Sequence, residues 1–220
     1  MDPLFGSETY DDAREAALLE PYTHPFPVLT IISGPSGVGK DSVIKRLRQE
    51  DYAFRFVVTV TSRVQRPGEV EGEDYYYVSQ GEFERMIAAG EMLEHAIVYG
   101  QYKGIARIRI RQALSAGADV IMRLDVQGAA TVKELIPQCQ TIFIAPPSRA
   151  ILIHHLAERG CDSPAQVQQR MTTALAELER AHEFDYVVVN QEDRLDETVN
   201  AVKAIILAAK CRTGRQPVVV

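Results

Sequence analysis

Cysteine is scarce in this 220-residue chain: Cys139, Cys161 and Cys211 form neither a metal-like pairing nor an even set for disulfides. A disulfide-stapled scaffold is thereby excluded, and a reducing, cytoplasmic location is expected. Long apolar runs are missing as well; no stretch approaches the roughly 20 residues of a membrane span. Positive charge is not in excess, since 24 Lys and Arg against 30 Asp and Glu leave a net charge of −6. That balance argues against a broad nucleic-acid-binding surface, so any basic site must be local and built for something small. What is present is ordinary globular composition, 46% hydrophobic and 25% charged. The length suits one sizeable core with lobes inserted into it, and leaves monomer and homo-oligomer both open.

The first 26 residues differ from the rest. Asp2, Glu8, Asp11, Asp12, Glu15 and Glu20 accompany a single Arg14, and prolines stand at 21, 25 and 27. A signal peptide needs a basic start and an apolar middle, and transit peptides are poor in acids. Neither fits, so residues 1–26 are expected to be a flexible extension. Within it, 10–19 reads either as a short helix docked on the core or as a frayed arm.

The stretch that organises the chain is Ser33-Gly34-Pro35-Ser36-Gly37-Val38-Gly39-Lys40-Asp41-Ser42. It follows the apolar run 28–32 and leads into Val43-Ile44-Lys45-Arg46-Leu47, which has helical periodicity. Strand, Gly-rich turn and helix start, in that order, make a phosphate-binding loop. Glycines let successive backbone N–H groups curl round an anion, and the helix N-terminus adds partial positive charge. Lys40 would reach the outer phosphates. One position breaks the pattern: Asp41 stands where Ser or Thr is expected, with Ser42 one place later.

Beyond the loop, 54–60 reads as a buried strand, and 61–69 is polar, basic and turn-like. Ser79 with Glu82 predicts a capping box for a helix to about Ala89, ended by Gly90. A strand over 92–98 leads into the Tyr99–Gly104 segment, and a helix is predicted over about 106–116. The strand 119–125 follows, then a short helix opened by Gly128, and a strand over 141–144. Ser148 is placed to cap a helix through 159–160, and Ser163-Pro164 to start one running to about Arg180. The last strand is 186–189 and the last helix 195–210. Strands alternating with helices predict an α/β fold with a mostly parallel, doubly wound sheet.

Several of these segments together resemble one family. Thr59-Val60-Thr61-Ser62-Arg63-Val64-Gln65-Arg66-Pro67-Gly68-Glu69 with Asp74-Tyr75, and Glu91-Met92-Leu93-Glu94-His95-Ala96, are similar to the monophosphate-binding segments of guanylate kinases. With the phosphate loop, Asp125-Val126-Gln127-Gly128, Ile144-Ala145-Pro146-Pro147 and Tyr186-Val187-Val188-Val189-Asn190, the similarity runs from about 28 to 208. Gly39-Lys40-Asp41, Tyr102-Lys103-Gly104-Ile105 and Arg123-Leu124-Asp125 look like the subtype of plant organelles and some bacteria. The resemblance implies magnesium-dependent transfer of a phosphoryl group from ATP to GMP. It also implies a P-loop nucleoside-monophosphate kinase fold, with core 27–57, 106–148 and 176–220, a GMP-binding lobe 58–105 and a lid 149–175.

By the same resemblance, Gly34, Pro35, Ser36, Gly37, Val38, Gly39, Lys40, Asp41 and Ser42 would hold the phosphates of ATP, with Asn190 near the adenine. Arg63, Arg66 and Tyr75 would grip the GMP phosphate, and Lys103 stands where many relatives have a tyrosine for that task. Glu94 and Asp125 would accept the guanine N–H donors while Thr59 serves O6. Asp125 ends a strand where an acid near magnesium is also common, so guanine and metal both remain open for it. Arg159 and Arg170 match lid arginines that swing onto the transferring phosphate. Asp41 beside a triphosphate is repulsive unless a cation lies between them, which makes it the expected magnesium ligand. Ile105 replaces a hydroxyl, Arg123 an aspartate and His155 a further lid arginine. The rival readings are a catalytically silent binding module, a GTPase suggested by Asp125-x-x-Gly128, and a kinase for another phosphorylated small molecule. No Asn-Lys-x-Asp guanine reader supports the GTPase, and Glu94 paired with Asp125 disfavours the third.

Overall fold

The structure, a computed structural model, describes residues 12–50, 52, 54–98, 100–158 and 164–220, without the side chains of 12–15, 98, 157–158 and 164–167. In chain order the elements begin with α1 (Asp12–Thr23), β1 (Leu29–Ser33), α2 (Lys40–Leu47), β2 (Arg55–Phe56), β3 (Thr59–Thr61), β4 (Tyr75–Tyr77) and α3 (Gln80–Ala88). Next come β5 (Met92–Val98), β6 (Gln101–Ala106), α4 (Arg107–Ser115), β7 (Val120–Arg123) and α5 (Val126–Leu135). The chain closes with β8 (Gln140–Ala145), α6 (Arg149–Glu158), α7 (Pro164–Glu179), β9 (Tyr186–Val189) and α8 (Leu195–Lys210).

The core sheet runs β2-β7-β1-β8-β9, and every neighbouring pair is parallel. Its middle strand, β1, is buried at all five positions, which is why Leu29, Ile31 and Ile32 serve both faces and the two polar residues, Thr30 and Ser33, are small. Ile32 packs with Val43 and Leu47 of α2 and with Val202 and Ile206 of α8. Leu29 and Ile31 pack the other way, with Ile110 of α4 and with Ala129 and Val132 of α5. Helices on both faces make this the doubly wound α/β sheet that the sequence predicts. From β7 the chain crosses β1 through α5 to reach β8, so the order reverses around β1. The carboxyl end of β1 therefore opens a crevice of the kind that binds ligands in such sheets.

A second sheet, β4-β3-β6-β5, stands apart from the first. Here β3 is parallel to β4, and β6 is antiparallel to both β3 and β5. Phe83 of α3 is buried beneath it with Val60, Met92 and Ala106. The predicted strand 54–60 is thus two strands: the chain leaves the core sheet after Phe56 and joins the second sheet at Thr59. The segment after β5, which the sequence reading left without an assigned structure, forms strand β6. Ser79 caps α3 by accepting from Glu82 N–H at 3.1 Å, but the carboxylate of Glu82 binds Arg85 at 2.8 and 2.9 Å. The helix opened by Gly128 in the sequence reading begins at Val126 instead, with Asp125 as its N-cap.

Asp119 fastens the edges of the core. Its carboxylate, 2% exposed, accepts from Val28 N–H at 2.8 Å, the Tyr52 hydroxyl at 2.5 Å and Lys210 Nζ at 2.9 Å. Removing it strands an N–H, a hydroxyl and an ammonium at once. Asp119→Ala is expected to lower stability by about 3–5 kcal/mol in urea unfolding, and a loss below about 1 kcal/mol would contradict that assignment. At the other end of the chain, α1 leaves Leu18, Leu19 and Tyr22 exposed, so over these residues the helix forms without docking them on the core. Among the described residues no helix is long and apolar enough to cross a membrane.

Candidate active site

The loop after β1 is shaped by close approaches. Gly34, Gly37 and Gly39 have φ of 139°, 87° and 91°, a region that L side chains avoid. A Cβ on Gly34 would meet the Ile144 carbonyl of β8 at 2.2 Å, and one on Gly37 would touch Leu156 of α6 at 3.0 Å. Asn190, just past β9, pins the loop from outside: its Nδ2 donates to the Val38 carbonyl, and its Oδ1 accepts from the Thr198 hydroxyl, both at 2.9 Å. Lys40 opens α2 and folds back, donating to the Gly34 and Pro35 carbonyls at 2.5 and 2.8 Å. Ser36 N–H points to the Glu177 carboxylate of α7 at 3.3 Å. Burial raises the pKa of Glu177, with Lys40 pulling the other way. A carboxylate thus rests against the loop's anion-binding amides.

The loop forms one wall of a cavity of about 380 Å³ whose other walls come from both sheets. Glu94 projects into it from β5, and a register shift explains how. Met92 pairs with Ala106 and Glu94 with Ile105, so Leu93 is an extra residue, a β-bulge. Leu93 turns into the core among Ile105, Ile110 and Leu124, and the strand re-aims Glu94 into the cavity. The hairpin closes tightly here, since a Cβ on Gly104 would lie 2.4 Å from the Glu94 carbonyl. Burial, and then the nearby charge of Asp125, push the Glu94 carboxyl up to about 7. Asp125 has one oxygen committed, accepting from Gly128 N–H at 2.7 Å.

At the far end of the cavity a cationic cluster surrounds Tyr75. Lys103 Nζ lies 5.7 Å and Arg63 Cζ 5.2 Å from its ring centre. Burial lowers the pKa of Lys103, and the charges of Arg63 and Arg66 lower it further against the pull of Glu69. Arg63 forks onto Glu69 at 2.7 and 3.0 Å. Glu69 also accepts from Arg66 N–H and from the Tyr77 hydroxyl, each at 2.8 Å. These donors, Arg63 foremost, hold Glu69 at about 2, while desolvation and the bond to Glu69 push Tyr77 up to about 12.

Residues 27–209 match the guanylate kinase family. The chain belongs to that family. It is 45% identical over 195 residues to "Guanylate kinase 2, chloroplastic/mitochondrial" of Oryza sativa subsp. japonica, covering 88% of this chain and 68% of that one. With the guanylate kinase of Thiobacillus denitrificans it shares 43% over 189 residues, 86% of this chain and 90% of the other. The crystal structure of guanylate kinase from Anaplasma phagocytophilum superposes with a TM-score of 0.66 at 30% identity, covering 87% and 90% of the two chains.

Of the residues singled out by resemblance to guanylate kinases, Gly34, Ser36, Gly37, Gly39, Lys40, Asp41, Ser42, Thr59, Tyr75, Glu94, Lys103 and Asp125 line the one cavity. Pro35 and Val38 are buried in the loop itself. Asn190 braces the loop with both ends of its amide, a supporting position rather than one on the cavity wall. Arg63, against the Tyr75 ring, and the exposed Arg66 are not on the cavity wall. Arg170 lies on α7 two turns before Glu177, so the two share one helical face. Arg159 lies outside the described residues. His155 has its Nε2 3.5 Å from a Glu192 carboxylate oxygen. Glu177, Gly104 and Arg123 also line the wall, and sequence reasoning did not name them as site residues. Only Arg123 carried a signal, as a departure from the family pattern, and the structure gives it a partner: it forms an ion pair with Asp41.

Proposed function

We propose that this chain is a guanylate kinase that transfers the γ-phosphoryl group of ATP to GMP, giving ADP and GDP reversibly. One observation carries the reading: a single cavity joins the glycine-lysine loop to Glu94, Thr59, Tyr75 and Lys103. Phosphoryl transfer asks the protein for positioning and charge neutralisation rather than covalent chemistry. On the donor side, Lys40 would exchange the loop carbonyls for phosphate oxygens, and the amides from Ser36 to Ser42 would take the rest. Glu177 must leave Ser36 for this, which couples α7 to donor binding. Arg170, on the same face of α7, and Arg159 would then approach the transferring phosphate as 149–175 closes as a lid.

On the acceptor side, within a lobe spanning 58–105, Tyr75, Lys103, Arg63 and Arg66 would hold the GMP phosphate. Arg63 would trade part of its fork onto Glu69 for phosphate oxygens of similar geometry. Glu94 would accept both guanine N–H donors, Asp125 would assist with its uncommitted oxygen, and Thr59 would donate to O6. Ile105, 2% exposed, offers only an apolar surface there, which leaves Thr59 as the hydroxyl that reads O6.

Magnesium fits this wall. Among the described residues no group of three or more metal-ligating side chains exists, but this ion usually keeps waters and phosphate oxygens and needs only one or two carboxylates. Asp41 and the Ser42 hydroxyl, side by side at the start of α2, would hold it, with Asp125 across the cavity. When bound, it neutralises and orients the triphosphate. Against a catalytically silent module stand the glycine-lysine loop and the lid arginines, and Asp41, the departure within that loop, is paired with Arg123. The reading places the protein in a reducing, cytoplasm-like compartment, consistent with free thiols at Cys139 and Cys211.

Phosphorus NMR of the protein with ATP, magnesium and GMP tests the reaction. ADP and GDP should appear one for one, and GDP supplied with ADP should run it backwards. Release of inorganic phosphate in place of GDP would make the chain an ATPase and refute the assignment.

A further inference from the structure

We propose that Arg123 is a ligand of the donor triphosphate, and that Asp41 is the positioning residue that holds it ready; the inference rests on the kinase reading above. Arg123 ends β7, level with Ile32 of β1, and Leu124 N–H donates to the Ile32 carbonyl at 3.2 Å. Its side chain therefore emerges beside the point where β1 runs into the phosphate loop. Asp41 follows Lys40 directly at the start of α2. The ion pair joins these two elements across the wall of the cavity that Lys40 lines.

Stability does not account for the pair. The side chains are 46% and 70% exposed, and ion pairs so open to water contribute little to folding. Charge at the site accounts for it better. The cavity wall carries three cations, Lys40, Lys103 and Arg123, against four carboxylates, Asp41, Glu94, Asp125 and Glu177. Lys103 lies by Tyr75 at the acceptor end, so of the three cations on this wall Lys40 and Arg123 are the two beside the loop. A polyanion entering this wall needs both.

Geometry sets the division of labour. Asp41 engages Nη1 of Arg123, which leaves the Nη2 and Nε donors for other acceptors. A guanidinium matches two phosphate oxygens with parallel N–H bonds, which an ammonium does not. Asp41 supplies the torsional restraint that keeps this fork over the loop. The two departures from the family pattern, an acid where a hydroxyl is usual and an arginine where an acid is usual, thus form one exchanged unit.

The test is calorimetric titration of ATP, and separately GMP, into the whole protein without magnesium, so that loss of a metal ligand cannot explain a change. Arg123→Gln should weaken ATP binding about 10- to 100-fold and leave GMP binding within about 2-fold. Arg123→Lys should fall between, keeping the charge and losing the fork. Asp41→Asn should weaken ATP about 3- to 10-fold, whereas adding it to Arg123→Gln should weaken binding no further and recover part of it, because the partner it positions is gone and an unpaired carboxylate there only repels the triphosphate. In turnover with magnesium, Arg123→Gln should raise KM for ATP and spare KM for GMP. Unchanged ATP affinity in Arg123→Gln, or equal losses for ATP and GMP, would overturn the assignment. Additive effects of the two substitutions would overturn the role of Asp41. Should Arg123→Gln fail to fold, Arg123→Lys carries the same comparison. A wild-type protein that binds ATP but phosphorylates no GMP would refute the kinase reading and leave these binding results to stand on their own.

Discussion

Lys40→Ala is expected to lower kcat at least about a thousandfold, the scale on which removing a preorganised charge from a developing transition state acts. Lys40 is the cation closest in sequence to the loop amides, and its Nζ already sits on the Gly34 and Pro35 carbonyls at the mouth of the anion cradle. Its neighbour in α2 cannot replace it, since Asp41 is acidic and paired with Arg123, and the other basic residues of α2, Lys45 and Arg46, lie in its last turn. Folding should barely notice. The loop keeps its glycine geometry and its brace at Asn190, and alanine is a good residue for the first turn of a helix. The paired measurements are kcat and the thermal midpoint. A kcat within tenfold of the wild type, with an unchanged midpoint, would remove Lys40 from the chemistry.

Glu94→Gln should act on the acceptor alone. An amide offers one acceptor and one donor where the carboxylate offers two acceptors, so one guanine N–H meets an N–H. A mismatch of that kind in a site built for hydrogen bonds can discriminate by about 10⁴ or more. A rise in KM for GMP of at least about 100-fold, with KM for ATP little changed, is a conservative expectation here. The pH dependence supplies a second signature. With its carboxyl raised to about 7, Glu94 is largely protonated in the free protein at pH 6 and largely ionised at pH 8. Wild-type KM for GMP should therefore fall as pH rises through 7, and the Gln variant should lose that trend.

Stability should move the opposite way. A carboxyl whose pKa is higher folded than unfolded leaves the folded state fully favoured below the ordinary value and less favoured as pH rises to about 7. Glu94→Gln abolishes that loss, so it should melt higher than the wild type at pH 8 and not at pH 4. Loss of guanine binding with a gain in stability is the mark of a strained functional group. Equal effects on the two substrates, or a pH-independent wild type, would place Glu94 elsewhere.

The donor half of this site was legible because its signals are local. Glycines and a lysine at fixed spacing after an apolar run announce their own backbone geometry, and Gly34, Gly37 and Gly39 adopt it. The acceptor half was legible only through resemblance. No periodicity in 91–98 shows that Leu93 is extra in its strand, yet that bulge alone decides that Glu94 faces the cavity and not the core. Glu177 was invisible for a related reason: a glutamate on a long mixed helix reads as a solvated face until the packing of α7 on the loop is known. β6 was left unassigned, and nothing local in the sequence shows that Gly104 sits within a strand, where the Glu94 carbonyl leaves no room for a Cβ. Asp41 and Arg123 each looked like an isolated departure. Only the parallel pairing of β1 with β7 brings them together.

Selectivity for the base is the central claim, and a coupled assay of ADP production from ATP and magnesium tests it most directly. GMP, dGMP, AMP, CMP and UMP are offered one at a time as acceptor. The proposed site predicts turnover with GMP and dGMP only, because Glu94 and Asp125 would face guanine donors that the other bases do not present in that arrangement. Turnover with AMP or CMP at a comparable kcat/KM would contradict it, and with it the assignment of Glu94, Asp125 and Thr59 as the residues that read the base.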